Sequence, residues 1–89
     1  MKPLTELARA VVDGLGQRFP SVERAFAAVE ASLRLMSGVP VPDDLLADVG
    51  IVADVVNEAA EERLRMAPYR RLLVAVSELL AERIVGRTA

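Results

Sequence analysis

The chain has 89 residues, 53% of them apolar but with only Phe19, Phe26 and Tyr69 aromatic, a net charge of −2, and neither cysteine nor histidine. That composition excludes a disulfide framework, thiolate chemistry, any histidine-based triad and the commonest metal ligand. A chain this short buries only about 62–65% of the surface its unfolded form exposes, so a mean hydropathy of +0.32 leaves apolar side chains at the surface and predicts self-association.

In the first segment, Leu4, Leu7, Ala8, Val11, Val12 and Leu15 recur at three- and four-residue steps, with Glu6, Arg9, Asp13 and Gln17 on the other side. The spacing predicts an amphipathic helix over residues 3–16. Gly14 and Gly16 each disfavour a helix interior by about 1 kcal/mol relative to Ala and mark its expected end, and Phe19-Pro20 forces a break.

Ser21 is placed to cap a second helix, predicted over 21–37, with Glu23 near the positive end of its dipole. Its main stripe is Val22, Ala25, Phe26, Val29, Leu33 and Met36. A second line, Ala27, Ala28, Ala31 and Leu35, implies a helix contacted from two directions, either at the centre of the fold or at a subunit interface.

Val39-Pro40-Val41-Pro42 reads as a stiff extended connector, because each proline bars the residue before it from helical geometry. A third helix is predicted over 42–66, with Leu45, Val49, Val52, Val56, Ala59 and Ala60 inward. Gly50 and the surrounding β-branched residues predict a kink near residue 50. A fourth helix is predicted over 68–86, from Pro68 to Gly86, with Tyr69, Leu72, Leu73, Val76, Leu79, Leu80 and Ile84 on one stripe. The expected fold is all-α: one compact bundle of four helices in which short connections favour antiparallel neighbours. If the third and fourth helices form a hairpin, Arg83 and Arg87 fall beside Asp43–Asp48, and Arg70 and Arg71 beside Glu61 and Glu62.

Charge is divided along the chain. Residues 43–62 carry Asp43, Asp44, Asp48, Asp54, Glu58, Glu61 and Glu62 and no base, whereas residues 63–89 carry six arginines against Glu78 and Glu82. Such a dipole calls for pairing within the chain or between chains. Charges at Glu6, Arg9 and Asp13 leave no room for a signal-peptide core, and the longest uncharged run, Leu35 to Pro42, is far short of the about 20 residues a spanning helix needs. A cytoplasmic protein without a membrane span is expected.

No pattern points to catalysis or to a cofactor. Glu58, Glu61, Glu62, Glu78 and Glu82 could in principle serve a metal-dependent all-α hydrolase, but Glu58 and Glu78 lie on the far side of their helices from the apolar stripes, where a bundle-core metal site cannot use them. Ser37 and Ser77 have no partner base for nucleophilic catalysis, and Tyr69 fits a core position with a wet hydroxyl. Arg63, Arg65, Arg70 and Arg71 form a cationic cluster suited to phosphate, which makes a nucleic-acid-binding or regulatory protein the alternative reading. The acidic balance and scattered aromatics weigh against it. The expected function is a non-catalytic protein–protein interaction module with an assembly, adaptor or regulatory role. Its predicted contact residues are Ala27, Ala31, Leu35 and Val74, for a homodimer through the second and fourth helices, together with Arg63, Arg65, Arg70 and Arg71.

Overall fold

A computed structural model describes residues 2–88 and the side chains of residues 2–87. Four helices follow one another, α1 (Leu4–Arg18), α2 (Val22–Met36), α3 (Asp43–Ala60) and α4 (Met66–Thr88), and the described residues form no strand. The Cα radius of gyration is 12.2 Å, close to the about 12 Å of a compact chain of this length.

The caps follow from local chemistry. Ser21 has extended dihedrals, and its hydroxyl accepts from the Arg24 backbone N–H at 3.1 Å. At the far end of α2, Gly38 takes φ +80° and its N–H donates to Leu35 O, while the Val39 N–H donates to Arg34 O at 2.9 Å. This is a Schellman closure, in which a left-handed residue turns the last carbonyls toward donors and glycine bears the geometry without a Cβ clash.

Three boundaries differ from expectation. α1 does not stop at its glycines but runs to Arg18, closed by the Phe19 N–H donating to Leu15 O at 2.9 Å. α3 passes through Gly50 as unbroken helix and ends at Ala60 instead of 66, because Glu61 turns left-handed at φ 57°. α4 starts at Met66, ahead of Pro68, which a first turn tolerates since its N–H would have no helical acceptor, and it continues past Gly86.

The core joins Leu7, Val11, Val12 and Leu15 of α1, Ala25, Ala28 and Val29 of α2, Val52, Val55 and Val56 of α3, and Leu72, Leu73, Val76 and Leu80 of α4. α2 buries part of each line, Ala25 and Val29 of the main stripe and Ala28 and Ala31 of the other, together with Ser32, while Phe26 and Leu33 stay half-buried. Ser32 is satisfied by donating to Ala28 O at 2.9 Å.

α2 packs against both α4 and α3, and α1 likewise packs against α4 and α3. The sequence neighbours α3 and α4 scarcely touch, so the hairpin between them does not form. The leucine face of α4 is already covered by α1 and α2, which leaves α3 at the opposite corner of the bundle. Two polar contacts fix direction. Arg87 at the end of α4 meets Glu23 at the start of α2 (3.0 Å), and Arg70 at the start of α4 donates to the Ser37 hydroxyl just past the end of α2 (2.8 Å). α4 therefore runs antiparallel to α2. Arg83 near Asp13 (4.0 Å) aligns it in parallel with α1.

The divided charge is consequently not resolved between α3 and α4. Arg83 and Arg87 turn to Asp13 and Glu23, and the acid of α3 that is held, Asp48, is held by Arg24 of α2 through Nε to Oδ2 at 2.8 Å. Asp48 is 7% exposed and faces inward together with Val55, so the buried face of α3 is rotated from the expected stripe. The hydrogen bond and charge of Asp48 push the Arg24 guanidinium above its usual pKa. Among the described residues no ion pair holds Asp43, Asp44, Asp54, Glu58, Glu61 or Glu62.

Candidate partner-binding cleft

An open cleft of about 870 Å³ lies where the start of α1, the end of α3 and the start of α4 converge. Its floor is apolar: Leu4 and Leu7 from α1, Ala59 and Ala60 from α3, Leu64 from the connector, and Leu72 from α4. Leu72 and Leu7 are core residues, so the floor is an extension of the core, and Leu4, 48% exposed, is the part left bare. The amphipathic stripe of α1 runs one turn beyond the point where α3 and α4 can cover it.

Charge of both signs surrounds this floor. Lys2, Arg63, Arg65 and Arg71 lie on the rim with Glu6, Glu61 and Glu62, all exposed and none in an ion pair among the described residues. The amino ends of α1 and α4 open here with their free N–H groups, and Pro3 offers α1 no side-chain cap. The carboxyl end of α3 adds the opposite partial charge.

The structure divides the predicted contact residues. Arg63, Arg65 and Arg71 gather at the cleft, whereas Arg70 turns toward α2 and Ser37. Leu35 (43% exposed) follows Arg24 and Ala31 along one flank of α2, seven and four residues apart, and that flank faces α3. Val74 (41% exposed) shares the outer stripe of α4 with Glu78 and Val85. The two residues therefore lie on separate flanks. Ala27 is half-buried, and Ala31, 1% exposed, is enclosed by its own chain and cannot be reached by a partner.

Glu58 and Glu78 are both exposed, as their helix phase predicts, and they sit on α3 and α4, the two helices at opposite corners. Among the described residues no three acids converge as metal ligands would. Tyr69 packs against the core, and burial pushes its phenol pKa up. No helix is long and apolar enough to cross a membrane. Sequence reasoning missed the contribution of Lys2, Leu4 and Glu6 to the cleft. The signal available was Leu4, the first residue of the α1 stripe, one turn ahead of Leu7, where burial begins.

Comparison with protein-family models, with curated proteins and with solved structures finds no match. The functional reading therefore rests on the cleft itself.

Proposed function

We propose that the chain is a non-catalytic protein–protein interaction module, with an assembly, adaptor or regulatory role, that engages its partner through the cleft at the α1–α3–α4 end. The observation that carries this reading is an apolar floor continuous with the core, bare at Leu4, under a rim of charges that form no ion pair among the described residues. Protein interfaces have this anatomy of apolar centre and polar rim. A small-molecule site of similar volume would enclose most of its ligand, whereas this cleft is open. Carboxylates interleaved with the cations favour a protein over a phosphate backbone, which repels every acid on the rim. A cytoplasmic location is part of the proposal, and the absence of cysteine is compatible with it.

The test is capture from a lysate at low salt. Leu64→Asp places a charge on the floor at a position on the loop between α3 and α4, and should abolish recovery of the partner while circular dichroism keeps its helical signal. The double variant Leu35→Asp with Val74→Asp, on the other flanks, should recover the partner as the parent does. Equal recovery by Leu64→Asp and the parent would remove the cleft from the account. Recovery of nucleic acid, with affinity falling steeply as salt rises, would replace the reading with the phosphate-binding alternative.

A further inference from the structure

We propose that the occupant of the cleft is the same cleft of a second copy, so that the chain forms a two-fold dimer across the α3–α4 connector. The proposal rests on the interaction-module reading and names its partner. The connector reads Glu61-Glu62-Arg63-Leu64-Arg65, acids first and bases after, with all four charges exposed and unpaired among the described residues. A two-fold axis passing beside Arg63 and Leu64 sets two such connectors antiparallel. Glu62 of each copy then meets Arg65 of the other, with Glu61 and Arg63 on either side of that pair, the reciprocal correspondence an isologous interface requires.

Helix electrostatics points the same way. Glu61 and Glu62 follow the carboxyl end of α3, where exposed carbonyls already concentrate negative charge, and Arg65 stands at the amino end of α4, where free N–H groups concentrate positive charge. Both placements oppose the dipole of their own helix. A second copy offsets both at once, its arginines over the end of α3 and its glutamates over the start of α4. A partner of one sign, such as an acidic peptide, would relieve the arginines and worsen the glutamates.

Exposed apolar side chains stand beside the connector. Leu4 at 48% exposure and Met66 at 66% flank the connector, and two-fold pairing covers them together with Leu64.

Sedimentation equilibrium of the full chain, carried to about 1 mM so that even a weak dimer registers, tests the proposal with two charge-reversed variants, E61K/E62K and R63E/R65E. The parent should reach twice its 9.6 kDa and dissociate as salt is added. Each variant alone sets like charges across the axis and should self-associate about 100-fold more weakly, while an equimolar mixture of the two should restore the dimer. The reversed positions are exposed, so both variants should keep the helical signal of the parent, and the milder pair E62K and R65E repeats the experiment if either does not. A parent that stays monomeric throughout, a variant that pairs as well as the parent, or a mixture that stays monomeric while the parent pairs would each overturn the proposal. A monomeric parent that still captures another protein through Leu64 would overturn the self-pairing alone and leave the interaction-module reading standing.

Discussion

Leu80→Ala should destabilise the fold by about 2–5 kcal/mol, while Glu78→Ala, two residues away, should stay within about 0.5 kcal/mol. Leu80 is 2% exposed and belongs to the face of α4 that both α1 and α2 cover. Truncation there opens a cavity between three helices, and with Leu73 and Val76 fully buried alongside, collapse around it is restricted. A chain of 89 residues has a total stability of about 4–13 kcal/mol, so this one side chain accounts for a large share of it, and the melting temperature should drop by roughly 10 °C or more. Glu78 is exposed on the opposite side of the same helix. Urea denaturation of both variants measures the contrast, and a costlier change at Glu78 would show that the face of α4 has been assigned the wrong way round.

The second large effect runs against helix propensity. Replacing a glycine in a helix interior by a side-chain-bearing residue ordinarily stabilises it, yet Gly14→Val should cost about 1–3 kcal/mol through overpacking. A Cβ built at Gly14 would stand 2.8 Å from Cγ1 of Val55, a methyl on α3 that is itself only 5% exposed. Neither helix can yield without disturbing the core behind it. Glycine is needed here because α1 and α3 approach closely, and at Gly16, where a Cβ would meet nothing within 4 Å, Gly16→Ala should stabilise. A double-mutant cycle of Gly14→Val with Val55→Ala should show favourable coupling, since the smaller residue on α3 makes room for the larger one on α1. Strictly additive effects would mean that the two helices do not meet at this point.

These two residues also show how far the sequence could be read. Leu80 is legible because α4 repeats its apolar residues at three and four with no competing polar signal, so element type and inward face both follow from spacing. Gly14 is not legible, since its intrinsic cost looks the same whether it ends a helix or admits a neighbour, and the neighbour lies 41 positions away in Val55. The phase of α3 was obscured for a related reason. Asp48 reads as an outward charge by type, and its place at 7% exposure depends on Arg24, which α2 supplies.

Topology was legible only in part. Four helices and the Ser21 cap of α2 follow from local patterns, but the length of the Glu61–Arg65 connector does not say which flank of α4 faces the chain that precedes it. That choice is made by α1 and α2 covering the leucines of α4. The cleft was out of reach for the same reason. Its floor comes from Leu4, Ala60, Leu64 and Leu72, each part of a different element, and only the packing of α1 between α3 and α4 brings them together. The arginine cluster was visible as a run in sequence, yet its division, with three residues at the cleft and Arg70 at Ser37, depends on helix phase at the start of α4.

The central claim is that the cleft end, and not the α2 and α4 flanks, is the face this chain uses for partners, its own second copy first among them. A dilution series of the uniformly nitrogen-15-labelled chain, followed by two-dimensional amide spectra, tests it residue by residue. The concentration-dependent shifts should gather at Leu4, Leu7, Ala60, Glu62, Leu64 and Arg71, while the amides of Leu35, Val74 and Val85 stay fixed. Shifts confined to Leu35 and Val74 with the cleft silent would contradict the account, and spectra that do not change at all up to about 1 mM would remove the second copy from it.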